Sequence, residues 1–158
     1  APLLPVDLAA LARAGVVDHA PIAEAKAIDL GLAEADADLI VLGDADALRI
    51  LLANLIRNAL RHTPTGGRID VACTREASGI VLRVDDSGAG IPAAERERVF
   101  DRFYQSPAAS SGGDETGSGL GLAIVRAIAE RHGAEIVLDV APLGGLRAQL
   151  TLPSPSEK

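Results

Sequence analysis

Between Asp44 and His62 the apolar residues Leu48, Leu51, Leu52, Leu55 and Ala59 recur at helical spacing, the strongest such pattern in the chain. A helix with a leucine face has to bury it against another layer. Alternating segments supply that layer. Ile69, Val71 and Cys73 face one way in Arg68–Thr74, and Ile80, Leu82 and Val84 do so in Ile80–Val84, with Ala77-Ser78-Gly79 in the turn of a β-hairpin. Glu135–Val140 and Leu146–Leu152 form a closing hairpin around Pro142-Leu143-Gly144-Gly145. Ile28–Leu32 and Leu39–Leu42 read as two further short strands, and Leu120–His132 as a second firm helix stopped by Gly133. A helix starts from Val6 with Asp7 as its cap, weakened or divided by Gly15 and Pro21, and Ala93–Val99 is a short helical stretch. Hairpins at both ends of the sheet imply mostly antiparallel pairing with helices on one face, a two-layer α/β sandwich.

Composition narrows what such a sandwich can do. Aromatic residues are 2% of the chain, and all of them, Phe100, Phe103 and Tyr104, fall in one stretch. The core is therefore aliphatic, and the clustered rings mark a local anchor; a base-stacking surface would spread them among basic residues. The single cysteine, Cys73, excludes an internal disulfide and a Cys-based metal cluster and reads as a small buried hydrophobe. No apolar run approaches the roughly 18 residues that cross a bilayer, and no signal peptide is expected at Ala1. With no methionine at all, the chain is expected to be a piece of a longer protein. The net charge of −7 argues against a duplex-binding or polybasic membrane surface. That charge is uneven: residues 1–50 carry nine acids and three bases, whereas residues 51–110 carry seven acids and eight bases. A phosphate-bearing ligand belongs against this middle third, near Arg57, Arg61, Arg68 and Arg102.

Seven of the sixteen glycines lie between Gly88 and Gly121. The run Gly117-Ser118-Gly119-Leu120-Gly121-Leu122 opens into a helix, where small residues let backbone N–H groups approach a phosphate and the helix N-terminus adds partial positive charge. The same glycines could simply make a turn. A Walker-type loop is excluded, because its lysine is absent: the chain has only Lys26 and Lys158. A Rossmann fingerprint is disfavoured by spacing. Asn54 and Asn58 stand one helical turn apart with Arg61 on the same stripe, flanking the leucine face. Asparagine is a poor helix former; two in register are either a solvated face or a hard-cation site, since amide oxygens suit Mg²⁺. Asp86 ends an apolar strand and heads Asp86-x-Gly88-x-Gly90. It is either a solvated turn residue or the acceptor for an exocyclic amine, with glycines admitting a flat ring.

Together these segments resemble the ATP-binding catalytic domain of bacterial sensor histidine kinases, a branch of the GHKL superfamily with the Bergerat fold. Asp44 and Leu48 through Asn54-Leu55-Ile56-Arg57-Asn58-Ala59-Leu60-Arg61-His62-Thr63-Pro64 match the N box, and Asp86-Ser87-Gly88-Ala89-Gly90-Ile91-Pro92 the first glycine box. Val99-Phe100-Asp101-Arg102-Phe103-Tyr104 matches the F box, and Thr116-Gly117-Ser118-Gly119-Leu120-Gly121-Leu122-Ala123-Ile124-Val125 the second glycine box. The resemblance implies a mixed, mostly antiparallel sheet and a flexible ATP lid at Ser106–Thr116. It also implies ATP and Mg²⁺ as ligands. Asn58 would hold the metal with Asn54 assisting, Arg61 and Arg102 would reach phosphate, and His62 would lie beside adenine. Asp86 would take the adenine amine, with Gly88, Gly90 and Ile91 in its box. Phe103 would help anchor the lid with Phe100. Thr116, Gly117, Ser118, Gly119, Leu120, Gly121 and Leu122 would form the phosphate cradle.

The hydrolases of that superfamily place a glutamate one turn before the metal-binding asparagine, where this chain has Asn54. A general base for water is missing there. The resemblance therefore implies transfer of the γ-phosphoryl group to a histidine on a separate dimerisation domain, and onward to a response regulator. His19, His62 and His132 do not fit the phosphoacceptor motif, and His19 and His132 read as ordinary surface or cap residues. Residues 1–27 are expected to be the exit from the missing hairpin and the first helix, 28–153 the ATP-binding domain and 154–158 a tail. The fragment is expected to be a monomer without nucleic-acid partners, from a homodimeric inner-membrane sensor whose catalytic part is cytoplasmic. The rival readings are a nucleotide-binding module without phosphotransfer and a GHKL-type serine kinase or ATPase.

Overall fold

The computed structural model describes residues 2–101 and 121–155. Strand β1 (Leu4–Asp7) leads directly into helix α1 (Leu8–Ala25), followed by β2 (Asp29–Ala35), β3 (Ile40–Gly43) and helix α2 (Ala45–His62). Strands β4 (Arg68–Glu76) and β5 (Gly79–Asp86) come next, then two 3₁₀ turns at Ala93–Glu95 and Arg98–Phe100. Helix α3 (Gly121–Arg131) and strands β6 (Glu135–Val140) and β7 (Leu146–Leu152) complete the fold.

The leucine face of α2 organises the core. Leu51 and Ile56 are fully buried, Leu48, Leu52 and Leu55 almost so, and they pack over Ile69, Val71, Cys73, Ile80, Leu82 and Val84 from the sheet. Each such side chain contributes roughly 1.5–3 kcal/mol relative to exposure. The five-stranded sheet runs β2-β4-β5-β7-β6. Only the β2–β4 pair is parallel, and the other three pairs are antiparallel, which is the expected mixed, mostly antiparallel sandwich. The hairpins do not lie at both ends, however. The β4–β5 hairpin is central, and β2 closes the far edge by a parallel pairing that needs the whole of α2 as its crossover.

Two expectations near the N-terminus are corrected, and one further along the chain. The segment expected to start a helix at Val6 begins as a strand, because Leu4–Asp7 pairs antiparallel with Ile40–Gly43 in a small second sheet. Asp7 does cap α1, its carboxylate accepting from the Ala10 N–H at 3.0 Å. Nor do Gly15 and Pro21 divide α1. Gly15 is a close-approach position, since a Cβ there would lie 2.6 Å from the Leu52 side chain of α2. Pro21 lies on the exposed face together with Val17, whose carbonyl loses its partner where water can replace it. Ala93–Val99 forms two 3₁₀ turns in place of a helical stretch. No helix among the described residues is long and apolar enough to cross a membrane.

Candidate functional site

Alternation along β5 sends neighbouring carboxylates to opposite faces of the sheet. Asp85 faces outward and is held by Arg147 of β7 through two bonds of 2.9 Å. Asp86 faces the helices and is 2% exposed. Its Oδ1 accepts from the backbone N–H of Gly88 at 2.9 Å and of Leu146 at 3.0 Å, and its own carbonyl accepts from the Gly145 N–H at 3.1 Å. Its Oδ2 has no hydrogen-bond partner among the described residues. Burial pushes this carboxyl above its ordinary pKa, with the two N–H donors working the other way. The arrangement is a buried carboxylate with one oxygen fixed by backbone and the other open to a donor.

The glycines around it are there for space. A Cβ on Gly88 would lie 2.3 Å from the His62 carbonyl oxygen, and one on Gly145 would lie 2.2 Å from Asp86 Oδ1. Gly90 has φ +79°, a conformation side-chain-bearing residues rarely adopt. Ile91 is half-buried and packs on the core, and Arg96 Nε donates to its carbonyl.

On α2, Asn54 and Asn58 are both half-buried on the flank expected for them. Asn54 Nδ2 donates to the Ile50 carbonyl at 2.9 Å, which leaves Oδ1 directed at the first turn of α3; a Cβ on Gly121 would lie 3.2 Å from it. An amide oxygen thus faces a helix start across a narrow gap. The far end of α3 is tied to the start of α2. His132 Nε2 accepts from the Asp44 N–H at 3.0 Å while Nδ1 lies 2.8 Å from the Ile128 carbonyl, which assigns the proton to Nδ1. Arg131 adds an ion pair to Asp44 at 2.7 Å.

This arrangement has known counterparts. The family model for histidine kinase-, DNA gyrase B- and HSP90-like ATPases matches residues 43–156. The chain belongs to this family. Over 94% of its length it is 42% identical to the sensor protein kinase PmrB of Pseudomonas aeruginosa, of which it spans 30%. It superposes on the ATP-binding domain of PrrB from Mycobacterium tuberculosis with a TM-score of 0.79 and 32% identity, covering 98% of both chains. A full-length ShkA structure in complex with AMPPNP matches with a TM-score of 0.82 and 28% identity, over 96% of this chain and 31% of that one. The fold is that of the catalytic domains of sensor histidine kinases, as the four boxes imply.

In this histidine-kinase-like domain the remaining box residues divide into those the structure brings to the site and those it does not. His62 is half-buried at the end of α2, and burial, then the charges of Arg61 and Lys26, hold its pKa down and favour the neutral ring. Arg61 and Arg57 are exposed and line, with Ile22, Lys26 and Leu60, a groove between α1 and α2. Lys26 Nζ donates to the Leu60 carbonyl there. Arg68, counted above among the available cations, is engaged by Asp70 at 2.9 Å. Phe100 is buried under the Arg126 guanidinium, 4.3 Å from its ring centroid, and Arg126 also pairs with Glu97 at 2.9 Å. Phe100 is thereby fixed to α3, while the lid that it and Phe103 are expected to anchor lies outside the described residues. Arg102, Phe103, Thr116, Gly117, Ser118, Gly119 and Leu120, with the Ser106–Thr116 lid segment, lie outside the described residues; Gly121 and Leu122 begin α3 half-buried.

Sequence reasoning missed Gly145 and Leu146, which it assigned only to a hairpin, although their N–H groups hold Asp86. It also read His19 and His132 as surface or cap residues, which holds for His132 as a cap but not for His19. His19 is 7% and His132 5% exposed, neither at the surface. His19 bonds the Gly15 carbonyl within its own helix, and His132 caps the α2 start from inside. Both follow a helical period that puts them on the inward side, a signal that polarity alone obscured.

Proposed function

We propose that this chain is the catalytic domain of a sensor histidine kinase, binding Mg·ATP and passing its γ-phosphoryl group to a histidine on a separate dimerisation domain. The observation that carries the reading is Asp86, a buried carboxylate with one oxygen fixed by two N–H groups and the other left for an amine. Adenine presents such an amine. Gly88 lets the turn after Asp86 pack against the His62 carbonyl at the end of α2, which sets His62 beside this turn.

The donor set fits Mg²⁺. No cluster of His, Cys, Asp or Glu suited to a metal exists among the described residues, whereas Asn54 and Asn58 offer neutral oxygens on one flank. A cation that keeps its waters and takes phosphate oxygens needs few protein ligands. Bound there, Mg²⁺ would neutralise phosphate charge. The chain's own residues then do the rest: Asn58 and Asn54 position, Arg61 and Arg102 offset charge, and the Gly117–Gly121 segment and the start of α3 give N–H donors. Asn54 has no proton-accepting side chain, so water is not activated at that position. In the transfer, the bond from the γ-phosphorus to the β–γ bridging oxygen breaks, a P–N bond forms to the incoming imidazole, and ADP leaves.

The rest of the pathway follows from the same reading. The phosphoryl group moves on to a response-regulator aspartate, residues 1–27 connect the domain to its histidine-bearing hairpin, and the parent is a homodimeric membrane sensor with this part in the cytoplasm. Calorimetry with a non-hydrolysable ATP analogue tests the reading. Mg²⁺-dependent binding that falls at least tenfold in Asn58→Ala is expected; equal binding with and without Mg²⁺, or none, sinks the assignment.

A further inference from the structure

The strap from Gly88 to Ile91 has little backbone bonding of its own. Its Gly88 N–H is taken by Asp86 Oδ1 at 2.9 Å, and no backbone group of Ala89, Gly90 or Ile91 meets another backbone group among the described residues. A Cβ on Gly90 would lie 3.6 Å from the Gly145 carbonyl, so the strap runs against the residue whose N–H holds the Asp86 carbonyl. A segment without a ladder keeps one shape only if side chains hold it. Arg96 does so. Its Nε donates to the Ile91 carbonyl at 3.0 Å, five residues back, from a side chain that is 24% exposed. The turn between them brings the two together: the Glu95 N–H bonds the Pro92 carbonyl at 2.9 Å and the Arg96 N–H the Ala93 carbonyl at 3.3 Å. The same guanidinium reaches Asp139 of β6 only at 4.0 Å, and that carboxylate is 69% exposed, so the ion pair contributes little. The strap is therefore tied at both ends, Gly88 to Asp86 and Ile91 to Arg96.

We propose that Arg96 is a positioning residue for the base, its Nε–H acting through the Ile91 carbonyl to fix the far end of the Gly88–Ile91 strap beside Asp86. This rests on the ATP reading above and deepens it, adding to the groups that would touch the nucleotide one that acts through them. Without the Nε donor the strap keeps its tie at Gly88 and gains freedom at Ile91. A ring bound against it then has to supply the ordering itself, and binding weakens by that cost. The loss falls on the base and spares the phosphates, which groups on α2 and at the start of α3 would hold.

Two substitutions separate the donor from the charge. Glutamine places its amide nitrogen where arginine has Nε and keeps a donor there without the cation, whereas methionine matches the stem and offers neither. Calorimetry compares non-hydrolysable ATP and GTP analogues on the unaltered chain, Arg96→Gln and Arg96→Met, alongside thermal unfolding without nucleotide. The unaltered chain is expected to prefer the adenine analogue by about tenfold or more. Arg96→Met is expected to bind that analogue about 3- to 10-fold more weakly, the scale of one hydrogen bond, and the guanine analogue within about twofold, so the base preference narrows. Arg96→Gln is expected to stay within about twofold for both. Unchanged adenine binding by the methionine variant overturns the proposal, and so does equal weakening in both variants, which would trace the loss to charge. Equal weakening toward both analogues also overturns it, since a general loosening of the fold would not single out the base. If the methionine variant does not fold, Arg96→Ala takes its place. Equal affinity of the unaltered chain for the two analogues leaves no base preference to position and overturns the proposal as well. Failure of the unaltered chain to bind either one overturns the ATP reading itself, an outcome distinct from the others.

Discussion

Asp85 and Asp86 are adjacent identical residues with opposite fates, decided by the alternation of β5 and by what each face meets. Both are buried, but Asp85 pairs with the Arg147 guanidinium, whereas Asp86 has no cation partner among the described residues and is held by backbone donors. Because the folded-state pKa of Asp86 is raised, the native chain takes up this proton more readily than the unfolded chain. Its ionised form opposes folding above that pKa, and the penalty fades as pH falls through it. Asp86→Asn is therefore expected to melt at the same or a higher temperature at pH 7 without nucleotide, an advantage that narrows on acidification, while nucleotide affinity drops at least tenfold. A melting series over pH combined with calorimetry checks both halves. Gly145→Ala should do the reverse, lowering stability by about 1–3 kcal/mol in denaturant titrations as the new Cβ displaces Asp86. Cys73 is buried, and that burial pushes its thiol up to about 11; a colourimetric thiol reagent at pH 8 should label it only after unfolding. Asp86 was legible in the sequence because glycines follow it at short range. Its donors at Gly145 and Leu146 were not, since a backbone N–H has no side-chain signature and the partner stands 60 residues away.

Helices in this domain are fixed by their ends as much as by their faces. Helix α3 closes with Gly133 at φ +63°, the Ala134 N–H reaching the Ala129 carbonyl and the Gly133 N–H the Glu130 carbonyl. Helix α1 closes in the same pattern, Ile28 to Ala23 and Ala27 to Glu24, but with Ala27 at φ +54°. Alanine pays a steric cost there that glycine does not. Ala27→Gly is accordingly expected to raise stability by about 0.5–1 kcal/mol in urea titrations, against the usual direction for glycine. The Gly133 stop was readable as a terminator; the alanine one was not, because no residue type announced it. At the other junction, His132→Ala removes the acceptor for the Asp44 N–H and should destabilise by about 1–3 kcal/mol. The measurement is the urea midpoint at unchanged slope, which a local loss of one cap should leave intact.

At the scale of the molecule, the site is assembled from parts far apart in the chain: the flank of α2, the end of β5, the β6–β7 turn and the start of α3. The order β2-β4-β5-β7-β6 places the end of β5 between β4 and β7, so the turn before β7 reaches Asp86 while α2 crosses above. On the proposed function, a site so built would position a nucleotide without supplying a nucleophile. The chain alone is therefore expected to release phosphate from labelled ATP only slowly, and to label a histidine-bearing hairpin of its parent when the two are mixed. Phosphate accumulating with the hairpin unlabelled would turn the assignment toward a hydrolase. The sequence by itself determined the leucine helix, the two hairpins, the capped end at Asp7 and the four boxes, because these depend on period and on neighbours within a few residues. Only the tertiary structure decided which strand forms the parallel edge, that Leu4–Asp7 pairs with Ile40–Gly43, that His132 is an internal cap and that Thr63 is buried. Those outcomes rest on contacts between distant segments, whose free energy comes from shared burial and so is written in no single stretch of residues.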